Sequence, residues 1–323
     1  MLTSVLPSLA EVSEAAGIVH SVFGPTPQYA WPLLSQRTGA EVWIKHENVT
    51  PVGAFKVRGG LIYLEELARH HPHVKGVITA TRGNHGQSIA FAARRHGIAA
   101  TIVVPHGNSL EKNAAMRALG AELVVHGRDF QEAREHMERL ASERELHEIP
   151  SFHPWLLRGV ATWTLELFEA APDLDRLYVP IGLGSGICGA IAIRDALGMK
   201  TEIVGVVAAG ADAYARSFEA GHVVESEANT LADGVAVRIP DPVALDIIRR
   251  GAARIVRVSD AEIAAAMRAF FTDTHHVAEG AGAAPLAAAM REHESVKGKK
   301  IGLVQTGANI DRELFATVLH ASG

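Results

Sequence analysis

Lys56 lies in the run Gly53-Ala54-Phe55-Lys56-Val57-Arg58-Gly59, among small and apolar neighbours. Desolvation in such surroundings lowers the pKa of an amine and makes it nucleophilic. A solvated lysine at a helix start is the plainer alternative for a lone lysine. Three other runs are rich in glycine and small polar residues: Thr81-Arg82-Gly83-Asn84-His85-Gly86, Gly182-Leu183-Gly184-Ser185-Gly186 and Thr306-Gly307-Ala308-Asn309. The 182–186 run follows an apolar stretch and opens a helical one, so its backbone N–H groups and the helix N-terminus suit a phosphate. Gly184, Gly186 and Gly189 also spell G-x-G-x-x-G, which raises a dinucleotide site. Glu202 lies near the distance expected of a ribose-binding acid, but it precedes the next strand, whereas that fingerprint wants the acid at a strand's end. An ordinary tight turn would read the same way.

The elements around these runs alternate. Ser8 and Glu11 stand at capping-box spacing ahead of a first helix, and residues 41–45 read as a half-buried strand. From Val74 onward the rhythm is strand, turn, helix: VKGVITA, a helix through GNHGQSIAFAARRHG, ATIVVP, a helix over 109–119, AELVVHG and a charged helix over 129–144. It restarts after His153-Pro154 with a helix over 160–171, RLYVPIG, a helix over 190–198 and EIVGVVA. A helix capped by Ser259 with Glu262, an Ala-rich helix after Gly282 and the strand KIGLVQT follow. Short apolar strands alternating with helices predict an α/β protein of two doubly wound lobes with parallel sheets. In such sheets ligands sit outside the carboxyl ends of the strands, where the three glycine-rich runs fall.

The composition agrees with a globular protein. Of 323 residues, 48% are hydrophobic and 21% charged, enough for a large core, and 31 basic against 36 acidic residues give a net charge of −5. That balance argues against nucleic-acid or anionic-membrane partners. The single cysteine, Cys188, excludes an intrachain disulfide and suits a reducing, cytoplasmic setting. The amino-terminal MLTSVLPSLAEVSEAAG has no basic n-region or long apolar run, so no signal peptide is expected. His70-His71-Pro72-His73 and His275-His276 lack zinc-motif spacing, and no metal site is expected.

Taken in order, the motifs resemble the fold-type II pyridoxal-phosphate enzymes (the tryptophan synthase β-like fold), in the branch of serine/threonine dehydratases (threonine ammonia-lyases) and serine racemase. The resemblance runs from Thr26-Pro27 to Asn309. It implies that Lys56, after Phe55, joins the aldehyde of pyridoxal 5′-phosphate. Thr81, Arg82, Gly83, Asn84 and His85 would form the loop holding the substrate carboxylate, with Asn84 also reaching the cofactor's 3′-oxygen. Gly182, Leu183, Gly184, Ser185 and Gly186 would cradle the phosphate, with Leu183 and Ser185 where the family usually has glycine. Thr306 would meet the pyridine nitrogen, and Gly234 and Glu279 would lie near the ring. The implied division is 1–68 with 152–323 as a large cofactor-binding domain, and 69–151 as a small domain carrying the carboxylate loop.

The expected reaction is β-elimination of a β-hydroxy amino acid such as threonine, serine or 3-hydroxyaspartate to a 2-oxo acid and ammonia. A hydroxyl such as that of Thr306 does not force a protonated pyridinium, which suits prompt loss of a β-hydroxyl. The phosphate is a candidate acid for that hydroxyl. Racemisation needs a second base, which in serine racemase is a serine just before the Gly-Asn pair. That position here is Arg82, always charged and a poor base. Arg82 is expected either to pair with an acidic substrate substituent, or to face solvent or bridge to the other lobe. The stretch 158–162 departs from the G-Q-G-T run usual in threonine dehydratases. No carboxylate appears after the strand EIVGVVA until Asp212, where some relatives hold a divalent cation. The chain stops soon after Asn309, so no appended regulatory domain is expected. A homodimer is the expected assembly. Two readings from other classes stand beside this one: a nicotinamide-dependent oxidoreductase using 184–189, and a catalytically silent ligand-binding relative.

Overall fold

A computed structural model describes residues 5–321; the first residues of the stretch read for a signal peptide lie outside them. Two sheets organise the chain. The larger has the order β1-β2-β10-β7-β8-β9, from β1 (Gln28–Ala30), β2 (Glu41–His46), β7 (Arg176–Pro180), β8 (Glu202–Ala208), β9 (Arg254–Val258) and β10 (Lys300–Gln305). All its pairings are parallel except β1 with β2. The smaller is wholly parallel, in the order β5-β4-β3-β6, from β3 (Gly76–Ala80), β4 (Ala99–Val104), β5 (Glu122–Val125) and β6 (His147–Glu148). Helices cover both sheets, so central strands such as β7 are buried along their length and read as unbroken apolar runs. Among the described residues no helix is long and apolar enough to cross a membrane.

Several elements form as their sequences predict. The Ser8–Glu11 capping box opens the helix Leu9–His20, and Ser259 with Glu262 opens Asp260–Thr274. Others differ. The helix expected over 160–171 is two, Pro154–Val160 and Thr162–Ala170, with His153 capping the first. The helix expected over 190–198 begins earlier, at Ser185, directly out of the glycine-rich turn. Strand β9 and the helices Ala213–Ala220 and Pro242–Gly251 complete the far edge of the large sheet.

The strand order reverses between β7 and β10. Ligands in open α/β sheets bind at such a switch point, beyond the carboxyl ends of the strands. The run ending in Lys56 follows β2, the 182–186 turn follows β7 and the Thr306 turn follows β10, so three neighbouring strands deliver three of the four motifs to one place. The fourth leaves β3 of the small sheet. The helix Lys56–His70 is clamped by backbone approach: a Cβ on Gly59 would stand 2.8 Å from the Leu156 carbonyl oxygen, and one on Gly159 2.2 Å from that of Arg58. Its other side meets the helix Asn84–Arg95, where a Cβ on Gly60 would fall 2.2 Å from Ser88 Oγ.

Candidate active site

The approach to Lys56 is laced to the turn after β10. Phe55 N–H donates to the Thr306 carbonyl at 2.9 Å, Ala54 pairs with Gly307 as an isolated antiparallel bridge, and the Thr50 hydroxyl both donates to the Ala54 carbonyl and accepts from its N–H. Lys56 is the first residue of its helix and half-buried. Its Nζ donates to Ser185 Oγ at 3.0 Å and stands 4.9 Å from the Phe55 ring centroid. Burial pushes the amine down to about 8, so near neutrality a usable fraction carries no proton. The desolvated reading of this lysine, not the solvated one, is what the molecule shows.

The 182–186 turn is a shallow cup ending in the N-terminus of the helix Ser185–Ala196. Gly184 adopts φ +99°, where a side chain would be strained, and a Cβ there would stand 2.7 Å from that of Ala244. A Cβ on Gly182 would lie 2.6 Å from the Gly234 carbonyl oxygen, which puts Gly234 against the cup. On Gly186 it would face the Phe55 ring at 3.7 Å, so the cup and the Lys56 approach share a wall. The Tyr214 hydroxyl donates to the Leu183 carbonyl at 3.1 Å and accepts from the Asp241 N–H, fixing the rim.

The loop after β3 turns on Thr81, whose hydroxyl accepts from the Gly83 N–H at 2.9 Å. Arg82 is exposed and has no ion-pair partner among the described residues, which removes the alternative of a bridge to the other lobe. His85 is buried with Nε2 unpaired; burial first, then the charge of Lys56, press its pKa to about 3, so it is neutral at any working pH. Asn84 is set by its neighbours. Its Nδ2 donates to Glu279 Oε1 at 2.6 Å, and its Oδ1 accepts from Asn309 Nδ2 at 2.8 Å. Glu279 in turn accepts from Lys112 Nζ at 3.3 Å, and Lys112 also reaches Asp233 at 2.6 Å. Burial opposes the Lys112 charge, but Glu279 and Asp233 outweigh it and raise its pKa. Burial pushes Glu279 up and Lys112 draws it back; an acceptor wedged between an ammonium and an amide N–H is best met as a carboxylate.

These contacts bring together Lys56 with Ser185, Phe55 with Thr306 and Gly186, Gly182 with Gly234, and Asn84 with Glu279, while Arg82 stands exposed on its loop. Lys112 was not singled out. The available signal was Lys112 itself, a cation in the first turn of the helix Leu110–Ala118, where the macrodipole disfavours positive charge unless it is paired.

The comparisons with known proteins decide the family. Residues 19–307 match the model of the pyridoxal-phosphate dependent enzymes. The chain belongs to that family. It is similar to the L-threo-3-hydroxyaspartate ammonia-lyase of Saccharomyces cerevisiae, 32% identical over 318 residues, covering 98% of this chain and 97% of that one. It is equally similar to the serine racemase of Schizosaccharomyces pombe, 32% identical over 318 residues and 98% of each chain. Among solved structures, the processed threonine deaminase isoform 2 of Solanum lycopersicum superposes with a TM-score of 0.87 at 30% identity, covering 98% of this chain and 94% of that one. The fold is accordingly that of the fold-type II pyridoxal-phosphate enzymes, and the cofactor of the family is pyridoxal phosphate.

The site fits that cofactor. An aldehyde needs an amine able to lose its proton, and Lys56 is one. A phosphate needs converging N–H groups with no Cβ in the way, which the cup supplies. A ring nitrogen needs a small partner, and the buried Thr306 has a hydroxyl with no partner among the described residues. The dinucleotide alternative fits poorly. Glu202 stands at the amino end of β8, opposite to the ligand end, and is held by Arg176 at 2.7 Å. Asp212, the nearest acid after β8, is taken up by Arg216 at 2.7 Å, Arg257 at 3.0 Å and Ser226 at 3.0 Å, cations and a hydroxyl in place of a hard-cation cage.

Proposed function

We propose that the protein is a pyridoxal-phosphate-dependent ammonia-lyase that removes the hydroxyl and the amine of a β-hydroxy amino acid, giving a 2-oxo acid and ammonia. The observation that carries this reading is one-sidedness. Lys56 offers one half-buried amine whose pKa desolvation pushes down to about 8, while the position before Gly83-Asn84 is an exposed arginine, unable to serve as a second base. A racemase needs two such groups; an eliminating enzyme needs one. Threonine, serine and 3-hydroxyaspartate are the candidate substrates.

The roles follow from position. Lys56 would hold the cofactor between turnovers and take the proton from the substrate's Cα. Thr81, Gly83, Asn84 and His85 would receive the substrate carboxylate, for which the fixed amide of Asn84 is a suitable donor. The 182–186 cup would hold the phosphate, Thr306 the ring nitrogen, and Phe55, Gly234 and Glu279 would border the ring. Bound pyridoxal phosphate would supply the electron sink for charge developing at Cα. The division into 1–68 with 152–323 and a small 69–151 domain, a homodimeric assembly and a cytoplasmic setting belong to the same reading.

The test is a visible absorption spectrum of the purified protein before and after borohydride, with Lys56→Ala as control, followed by a panel of β-hydroxy amino acids scored for 2-oxo acid. A yellow band that borohydride bleaches, absent in Lys56→Ala, with 2-oxo acid from at least one substrate, is expected. A colourless protein that takes up no pyridoxal phosphate, or one that binds every substrate and converts none, would overturn the proposal.

A further inference from the structure

The chain passes between the two sheets twice, from the helix Lys56–His70 to β3 and from β6 to the helix Pro154–Val160. Histidines line both crossings, and the fold sets them side by side. The His71 ring stacks 6.3 Å from that of His147 and lies 6.0 Å from that of His73, centroid to centroid. Tyr63, buried on the Lys56 helix, links the second crossing to it: its hydroxyl is 3.0 Å from His147 Nε2, and its ring is 5.1 Å from that of His153. Trp155 packs 5.0 Å from the His153 ring and stacks 5.9 Å from that of His70. His153 Nδ1 also accepts the Trp155 N–H at 3.2 Å, capping the helix Pro154–Val160. Only an unprotonated ring nitrogen can make that cap. The same helix is the one that rests backbone to backbone on the Lys56 helix, through Gly159 and Gly59.

We propose that these paired crossings form a pH-sensitive joint, closed while His147 and His153 are neutral and loosened when mild acid charges them. A proton on His153 Nδ1 removes the cap from the helix that seats Lys56, and a charged His147 faces the His71 ring. The groups around them offer no counter-charge. Burial pushes the Tyr63 hydroxyl up to about 12, so it stays neutral. Glu66 is taken up by Arg69, by Arg158 at 3.0 Å and by His70 at 3.1 Å. Lys75 and Glu148 are exposed, and among the described residues no carboxylate reaches His71, His147 or His153. Burial and then His71 hold His147 below the ordinary 6.5; burial and then His147 do the same to His153. The neutral rings therefore contribute fully to stability above pH 6.5, and that contribution is lost as pH falls through the lower folded values. The joint is independent of which reaction the site performs.

Hydrogen exchange of the cofactor-loaded protein at about pH 7.5 and 5.5, on either side of the ordinary histidine value, tests the joint. Rates are read by mass spectrometry and corrected for the pH dependence of free-amide exchange. Peptides spanning 71–76 and 147–160 should lose protection on the order of tenfold at the lower pH, the equivalent of one pKa unit of coupling between the proton and closure, while β8 keeps its own. In the double variant His147→Gln with His153→Asn, a hydrogen-bonding group still faces Tyr63 and an efficient cap remains, but neither side chain takes a proton. That variant should hold its protection at both pH values. If it does not fold, His153→Asn alone should hold the protection of 154–160. Equal protection of the wild-type peptides at the two pH values would overturn the joint. So would a loss that the variant shares, or one that β8 shows to the same extent.

Discussion

Arg82 brings a permanent, unpaired charge to the rim of the site, on the loop that would receive the substrate. A guanidinium in that place costs little in solvent and gains most from an anion that can be held by two of its N–H groups. Of the candidate substrates only 3-hydroxyaspartate carries a second carboxylate. We expect Arg82→Ala to lower kcat/KM for 3-hydroxyaspartate at least tenfold relative to threonine; an equal change for both would show that the arginine simply faces water. At this scale the sequence was informative because the chemistry resides in short runs. Lys56, Asn84 and Thr306 stand out by type and local setting. The contact between Lys56 and Ser185 spans 129 positions, and no local pattern announces it.

Behind Lys56 the elements are tied by buried charge. Arg58, two residues along the same helix, is fully buried and reaches Glu47 at 2.7 Å and Glu166 at 2.6 Å, from the segment after β2 and the helix Thr162–Ala170. Lys45 Nζ adds a bond to Glu166 at 2.6 Å and His20 another at 2.8 Å. Burial alone would raise the Glu166 carboxyl, but Arg58 and then Lys45 hold it down at about 2. Its folded value lies below the ordinary 4.5, so the carboxylate's contribution to stability is complete above about pH 4.5 and is lost as pH falls toward 2. Glu166→Gln should therefore lower the denaturant midpoint at pH 7 by the equivalent of about 3–5 kcal/mol, and flatten the loss of stability between pH 4.5 and 2. Urea titrations at several pH values check both; a variant as acid-sensitive as wild type would show that Glu166 is not the titrating tie. Capped elements such as Leu9–His20 were legible because Ser8 and Glu11 sit three apart. The break at Ala161 was not, since the apolar pattern runs through it and only the His153 cap marks the earlier helix.

Across the whole molecule, the small sheet's elements meet the large sheet's through Lys112, from a helix between β4 and β5, and the acids Asp233 and Glu279. Removing the cation would leave Glu279 buried against Asn84 with an uncompensated charge. Lys112→Met is expected to weaken pyridoxal phosphate binding about tenfold and to lower the thermal midpoint, whereas Lys112→Arg should recover part of both; an unaltered cofactor dissociation constant in the methionine variant would count against the tie. The two-lobe plan was legible from strand–helix alternation, but the strand order was not, because β10 enters between β2 and β7 from the far end of the chain. The glycine contacts at 59 and 159 set how this molecule can change over generations. Backbone rests on backbone there, so no exchange of side chains can slide the Lys56 helix to suit a new substrate. Divergence is channelled into the loops at 81–85 and 182–186, which carry Arg82, Leu183 and Ser185. A library meant to redirect the enzyme should randomise those three positions and leave the helix crossing alone.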